Sequence, residues 1–238
     1  MQNNNRKVTV WLYLFYGIIY PYLYWINFGM KKILLFSLVM AFSSRADLCD
    51  DLFKKHKSAW EGTSNLNICK NALKGDPDAQ FDLAGIFSID ENNPEEAFEW
   101  TRKSASQGCT KSQYVLGLMY YDGVGVDMNW IYAFELFERS SKKELPNAIT
   151  SLGFMYQNGH MRAKDLDKAK ELYVKASYLG DPTASYLLGE MYKNGDGVEV
   201  DTEKAAFYFL DSINSILKAI TADDKNTYPC NKYNDLTH

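Results

Sequence analysis

The amino-acid sequence predicts an all-α fold, a right-handed α-solenoid of about four helix-turn-helix repeats of 36 residues behind an N-terminal capping helix pair. Three observations predict it. An alanine recurs every 36 residues, a Leu-Gly-x-Met-Tyr block recurs at the same interval, and Gly-rich turns lie between the two. A period of this length is typical of helical repeats that stack into a solenoid.

Two sets of anchors define the repeats. One set consists of alanines with Asn or Asp four residues earlier: Ala97, Ala133, Ala169 and Ala205 after Asn93, Asn129, Asp165 and Asp201. The other set consists of the blocks at 116–120, 152–156 and 188–192, with a Leu-Ala-Gly-Ile-Phe counterpart at 83–87. The predicted units are a cap at 47–75, repeats at 76–108, 109–144, 145–180 and 181–215, and a C-terminal helix and polar tail at 216–238.

The first helix of each repeat is predicted from apolar residues at helical spacing, such as Ala148, Leu152 and Met155. A small residue recurs in its middle, at Ala84, Gly117, Gly153 and Gly189. Glycine costs about 1 kcal/mol relative to alanine inside a helix, so close packing of a neighbouring helix must offset that cost.

The second helix of each repeat is predicted to begin at the recurring Asn or Asp, which acts as the N-cap residue. Pro94 then occupies a first helical position, where its missing N–H is harmless. The recurring alanine faces the first helix. Bulkier residues follow it: Trp100, Leu136, Phe137, Leu172, Tyr173, Tyr208 and Phe209.

These motifs closely resemble the Sel-one-like repeat family, a relative of the tetratricopeptide repeats. The segments Tyr114–Val126 and Tyr186–Val198 carry the family pattern almost fully, and Lys168-Ala169 and Lys204-Ala205 carry its second part. The third repeat departs from the pattern in its loop, at 159–162. The resemblance implies a non-enzymatic protein that mediates protein–protein interaction.

Residues 30–46 are predicted to be a secretory signal peptide. Met30-Lys31-Lys32 is basic, Ile33–Phe42 is apolar, and small residues stand at Ser44 and Ala46, where a signal peptidase cleaves. Its apolar core is far shorter than the roughly 20 residues that span a bilayer. The expected location is therefore the periplasm or the exterior of the cell.

Residues 1–29 allow two interpretations. The segment Val8–Phe28 is apolar and rich in Trp and Tyr, so it is either an inner-membrane anchor or an extension ahead of a true start at Met30. Basic pairs flank it on both sides, so the positive-inside rule gives no orientation. A membrane is a partner only if residues 8–28 are a genuine anchor.

The four cysteines, Cys49, Cys69, Cys109 and Cys230, all lie in the predicted mature part. An oxidising compartment allows two disulfides. Cys49 and Cys69 fall on two predicted short helices, at 47–56 and 66–73, and are expected to pair across the cap, which leaves Cys109–Cys230 by elimination. No Cys-x-x-Cys occurs, so neither a metal nor a cofactor is expected.

Composition and motifs argue against nucleic-acid binding and against catalysis. The chain has 26 basic and 30 acidic residues. The five charged residues before Asp47 are all basic, so the rest of the chain is acidic and unsuited to nucleic acid. His56, His160 and His238 are expected to be solvated. Some exported relatives are β-lactamase-like, and two Ser-x-x-Lys matches occur, at Ser140 and Ser215, but no Lys-Thr-Gly completes the set.

The positions that differ between repeats predict a binding surface. They stand two before, one after and four after the small residue of each first helix. Because stacking positions should be alike, this stripe is expected to face outward on the concave surface. The predicted partner-binding residues are Val115, Leu118, Tyr121, Phe154, Gln157, Leu187 and Glu190.

The predicted function is binding of another protein. The resemblance includes immunity proteins that neutralise toxin effectors of the type VI secretion system, such as lipases. The alternatives are a periplasmic scaffold in envelope signalling or host contact and, from a different class, a β-lactamase-like hydrolase.

Overall fold

The computed structural model describes residue 49, residues 63–89, 93–160 and 163–221, and residue 230. This part of the chain contains nine helices and no strand. They are α1 (Thr63–Lys74), α2 (Pro77–Ile89), α3 (Pro94–Ser106), α4 (Thr110–Asp122), α5 (Trp130–Ser141), α6 (Pro146–Asn158), α7 (Leu166–Tyr178), α8 (Pro182–Asn194) and α9 (Thr202–Thr221). The predictions for the signal peptide, residues 1–29, the helix at 47–56, His56, the polar tail and His238 concern segments outside the described residues.

The helices form four pairs, α2 with α3, α4 with α5, α6 with α7, and α8 with α9. The second helix of each pair also packs on the first helix of the next pair, and α1 packs on α2. This arrangement confirms the predicted all-α solenoid. The C-terminal helix predicted from residue 216 is the continuation of α9, which ends at Thr221. Within the described residues, no helix is both long and apolar enough to cross a membrane.

Each recurring glycine lies against an aromatic ring of its own pair. A Cβ added to Gly117 would stand 2.6 Å from the Phe137 ring, and one added to Gly189 would stand 2.6 Å from the Phe209 ring. In the first repeat the corresponding residues are Ala84 and Thr101, both buried. The smaller threonine therefore replaces the ring in the one repeat where alanine replaces glycine.

The predicted N-caps form in three repeats. Asn129 accepts hydrogen bonds from two backbone N–H groups of α5, Asp165 accepts one from Lys168, and Asp201 accepts one from Lys204. Asn93 is buried at the equivalent position, but its side chain does not cap α3, so the prediction is wrong for that residue. Pro94 is the first residue of α3, as expected.

A second recurring contact joins the second helix to the start of the first helix in three of the four repeats. The hydroxyl groups of Ser104, Ser140 and Ser212 donate to the backbone carbonyls of Pro77, Thr110 and Pro182, at 2.7, 3.4 and 2.8 Å. The third repeat has Ala176 at this place, and Thr150 there donates to the carbonyl of Pro146 and to the carboxylate of Asp181. The serine bonds hold the second helix against the start of the first helix in three repeats, and in the third repeat the Thr150 bond instead joins α6 to the residue that precedes α8.

A disulfide joins Cys109, which precedes α4, to Cys230, and this is the pairing that elimination left. The backbone N–H of Cys230 donates to the carboxylate of Asp78 at the start of α2. The disulfide therefore holds residue 230 beside the first two repeats. Cys49 and Cys69 are disulfide-bonded as well.

Candidate partner-binding groove

The stripe of variable positions lies on the outward side of the first helices, α2, α4, α6 and α8. None of its twelve residues is buried. Phe154 is 39% exposed. The other six predicted binding residues are half-buried: Val115, Leu118, Tyr121, Gln157, Leu187 and Glu190. Residues that line a shallow groove are half-buried, whereas residues on a flat surface are more exposed.

Two hollows lie along this stripe, and together they are called the groove here. The first has a volume of about 200 Å³, and four predicted residues line it: Leu118, Tyr121, Phe154 and Leu187. Asp122, Phe137, Thr150, Ser151 and Thr183 complete its lining. Three successive first helices, α4, α6 and α8, therefore contribute to a single hollow.

The second hollow, about 290 Å³, lies between α2 and α4. Val115 and Leu118 line it, together with Phe81, Met119 and other residues. Leu118 and Asp122 belong to both hollows, so α4 forms the wall between them. The predicted stripe thus corresponds to a lined depression, and Asp122 is the carboxylate placed at its centre.

An aromatic cluster borders the first hollow. The imidazole of His160 stacks on the indole of Trp130, with ring centroids 4.5 Å apart, and its Nδ1 lies 2.8 Å from the hydroxyl of Tyr121 in a hydrogen bond. Phe154 meets both Tyr121 and His160 edge to face. His160 is half-buried and engaged, so the expectation of a solvated side chain is wrong.

Sequence reasoning missed Trp130 and His160 as members of the site. Trp130 begins α5, while His160 follows α6 in the loop that departs from the repeat pattern. That departure was the available signal, because a histidine stands where the second and fourth repeats have Val124 and Asp196. The side chain at this loop position packs over the preceding repeat and fixes the orientation of Tyr121.

Burial and charge define the chemistry of the groove. Burial, with a smaller contribution from Asp122, raises the pKa of the Tyr121 phenol, so the hydroxyl remains protonated at neutral pH. Burial also raises the pKa of the Asp82 carboxyl, and the charges of Asp78 and Asp76 raise it further. Asp76, Asp78 and Asp82 therefore crowd negative charge at the start of α2, outside the lining of the two hollows.

Two predicted binding residues have partners within the fold. The carboxamide oxygen of Gln157 accepts a hydrogen bond of 2.7 Å from the hydroxyl of Tyr173, a fully buried residue whose pKa burial raises strongly. Glu190 pairs with Lys193 at 3.0 Å on the surface of α8. Neither lines the two hollows, so the structure places both at the margin of the groove.

The two serines that matched the β-lactamase pattern are placed differently. Ser140 is fully buried and donates to the carbonyls of Leu136 and Thr110, so its hydroxyl cannot reach a substrate. Ser215 lies half-buried on α9, one turn before the exposed Lys218. Neither serine belongs to the groove. The described residues contain no group of His, Cys, Asp and Glu side chains that could hold a metal ion.

Comparison with known proteins identifies the repeat. A family model described as the Sel1 repeat matches residues 77–109, 110–144, 146–181 and 182–211, more than half of the chain. Two solved structures share the fold. A Sel1 repeat protein from Oxalobacter formigenes has a TM-score of 0.58 and 26% sequence identity over 63% of this chain and 63% of its own. The protein c5321, a protective antigen present in uropathogenic Escherichia coli strains, has a TM-score of 0.57 and 30% identity over 62% of this chain and 32% of its own.

A curated relative also matches. The chitin synthase regulator SKT5 of Saccharomyces cerevisiae is 35% identical over 78 residues, which are 31% of this chain and 11% of that protein. The chain therefore spans less than two thirds of each of these relatives, and only about a tenth of the yeast protein.

Proposed function

The chain belongs to the Sel1 repeat family, and from that premise we propose that it is a non-enzymatic, exported protein that binds a partner protein in the groove. Sel1 repeat proteins mediate protein–protein interaction. The proposal adds the place of binding, the compartment and the chemistry of the partner.

One observation carries the proposal. Four apolar side chains from three successive first helices line one open hollow: Leu118, Tyr121, Phe154 and Leu187. An apolar depression of this kind is unfavourable in water and favourable once an apolar side chain fills it. Aromatic residues at the centre of such a patch are the commonest residues to dominate binding energy.

The internal repeats support a binding role over a structural one. Positions that stack the helices are alike in every repeat, as at Gly117, Gly153 and Gly189. The groove positions differ, as at Val115, Ser151 and Leu187. A surface that only faces solvent does not need apolar side chains concentrated on α4 and α6.

The proposed partner is a toxin effector that the protein neutralises in the periplasm. The predicted signal peptide at residues 30–46 and the disulfides support an oxidising, exported location. Asp122 in the groove and the acidic residues at the start of α2 favour a partner segment that is positively charged around its apolar anchors. A scaffold in the cell envelope is the competing class of binding protein.

Affinity capture tests the proposal. The full-length protein is tagged and purified from the envelope of its native host, as the wild type and as the variant Tyr121→Ala/Phe154→Ala. The control is Val174→Ala/Tyr178→Ala, which truncates two exposed side chains of α7 outside the groove. A stoichiometric partner bound by the wild type and the control, but lost from the groove variant, supports the proposal.

The identity of that partner separates the two classes of binder. A toxin or lipase domain supports the inhibitor, and an envelope signalling protein supports the scaffold. The groove proposal fails if the partner remains bound to the groove variant.

A further inference from the structure

The last helix of the solenoid carries an apolar face that nothing in the described structure covers. Leu210, Ile213, Leu217 and Ile220 are 60, 52, 52 and 73% exposed, and Ala206 before them is exposed as well. These five residues, called the α9 seam here, are spaced by four, three, four and three residues. That spacing is the heptad pattern by which one helix packs along another.

The other second helices show that this face is a particular feature of α9. Phe207, beside the seam, stands where the three preceding repeats have Glu99, Glu135 and Glu171. Leu210 stands where they have Arg102, Glu138 and Val174. Both positions are charged in the first two repeats, one of them is charged in the third, and neither is charged in the last helix. At 20 residues, α9 is also longer than the 12- and 13-residue helices before it.

Glu203 stands one heptad before Leu210, at the N-terminal end of the seam, and the other charged residues of α9 lie away from it. Asp211 accepts a hydrogen bond of 2.7 Å from Ser185 of α8, so it faces the fold, and Lys204 pairs with Asp201 at 3.1 Å. The positions that flank the seam hold Phe207, Asn214 and Ile216, which are uncharged. In paired helices the flanking positions select the partner by charge, and here nothing repels an identical helix.

We propose that a second copy of this chain covers the α9 seam, with the two α9 helices packed against each other across a two-fold axis. A two-fold interface uses the same patch on both subunits, and a heptad stripe is complementary to itself. The large apolar side chains of this face are Phe207, Leu210, Ile213, Ile216, Leu217 and Ile220. Together they expose on the order of 600 Å² per copy, somewhat less than the ~800 Å² that each partner contributes to a standard interface. The groove lies on the first helices and stays open in this dimer.

Sedimentation equilibrium of the full-length protein tests the dimer. The wild type is expected to show twice the mass that the same preparation shows when it is denatured. Leu210→Glu/Leu217→Glu is expected to sediment as a folded monomer with the helical circular-dichroism spectrum of the wild type, because both residues are exposed within one copy. Val174→Glu/Tyr178→Glu, the matched control on α7, should remain dimeric. A monomeric wild type at 100 μM, or a dimeric seam variant, would overturn the proposal.

Cross-linking distinguishes a second copy from a segment of the same chain. A photoreactive phenylalanine analogue is placed at Phe207 in an equal mixture of ¹⁴N- and ¹⁵N-labelled protein. The proposal predicts mixed-isotope adducts that join α9 to α9. Adducts of a single isotope, or adducts from Phe207 to residues 8–28 or to the groove, would show a different occupant.

Discussion

Gly153 of α6 lies directly against the ring of Tyr173 in α7, so closely that a Cβ on the glycine would stand 2.7 Å from the ring. The same contact recurs between Gly117 and Phe137 and between Gly189 and Phe209. It sets the spacing of the two helices in each pair. That spacing in turn determines where the groove residues of neighbouring first helices meet.

Gly153→Leu is expected to destabilise the protein by about 1–3 kcal/mol or more, because an added side chain must displace the buried ring. Gly85→Ala is the control, since it lies in the middle of α2 with open space where a Cβ would stand. That substitution should be neutral or stabilise by up to about 1 kcal/mol. Urea unfolding measures both, and equal effects would contradict the role assigned to Gly153.

Gly125 is constrained in two ways. Its φ is +69°, and a Cβ there would stand 2.1 Å from the backbone carbonyl oxygen of Pro94. Gly180 has a similar φ of +88° with open space around it. Gly180→Ala should cost about 1–2 kcal/mol from its backbone conformation alone, and Gly125→Ala should cost more because the loop must also move away from α3. Thermal unfolding of the two variants decides this, and a smaller effect at Gly125 would contradict it.

Phe154 and Phe137 line the same hollow, but Phe154 lies at the surface and Phe137 lies in the core. Phe154 is 39% exposed, and Phe137 is 1% exposed. Phe137→Ala should lower the free energy of unfolding by about 3–5 kcal/mol, while Phe154→Ala should lower it by less than about 1 kcal/mol. A large loss for Phe154→Ala would mean that this side chain belongs to the core and that the groove is wrongly placed.

The Asp82 carboxyl makes the free energy of unfolding depend on pH. Its pKa in the folded protein is raised by burial and by Asp78 and Asp76, with Lys111 opposing. A carboxyl with a raised folded pKa favours folding below its unfolded pKa, and this contribution is lost as the pH rises through the folded value. Asp82→Asn should therefore raise the urea midpoint at pH 7 and leave it nearly unchanged at pH 3. An increase of equal size at both pH values would contradict this account.

Much of the fold was predictable because each repeat is a local unit that depends on its own residues and on its nearest neighbours. The 36-residue period located the helices, the glycine contacts and three of the four caps. The serine ladder has the same period, at Ser104, Ser140 and Ser212, but went unnoticed. From the sequence alone, a serine late in an amphipathic helix looks like a solvated residue, because the carbonyl that accepts its hydrogen bond is not known.

The aromatic cluster was not predictable for a different reason. His160 and Tyr121 are 39 residues apart and meet only because the loop after α6 folds back over the preceding repeat. Repeat comparison could show that this loop is atypical, but it could not show where the imidazole packs. The apolar positions of the groove, by contrast, followed from comparing four copies of one helix.

The most direct test of the groove is a photo-cross-link made in living cells of the native host. A photoreactive residue is placed at Leu118, which lines both hollows, and in a second strain at Val174 on α7. If the partner binds in the groove, Leu118 gives one discrete adduct with a partner protein and Val174 gives none. An adduct from Val174 with no adduct from Leu118 would show that the partner binds outside the groove.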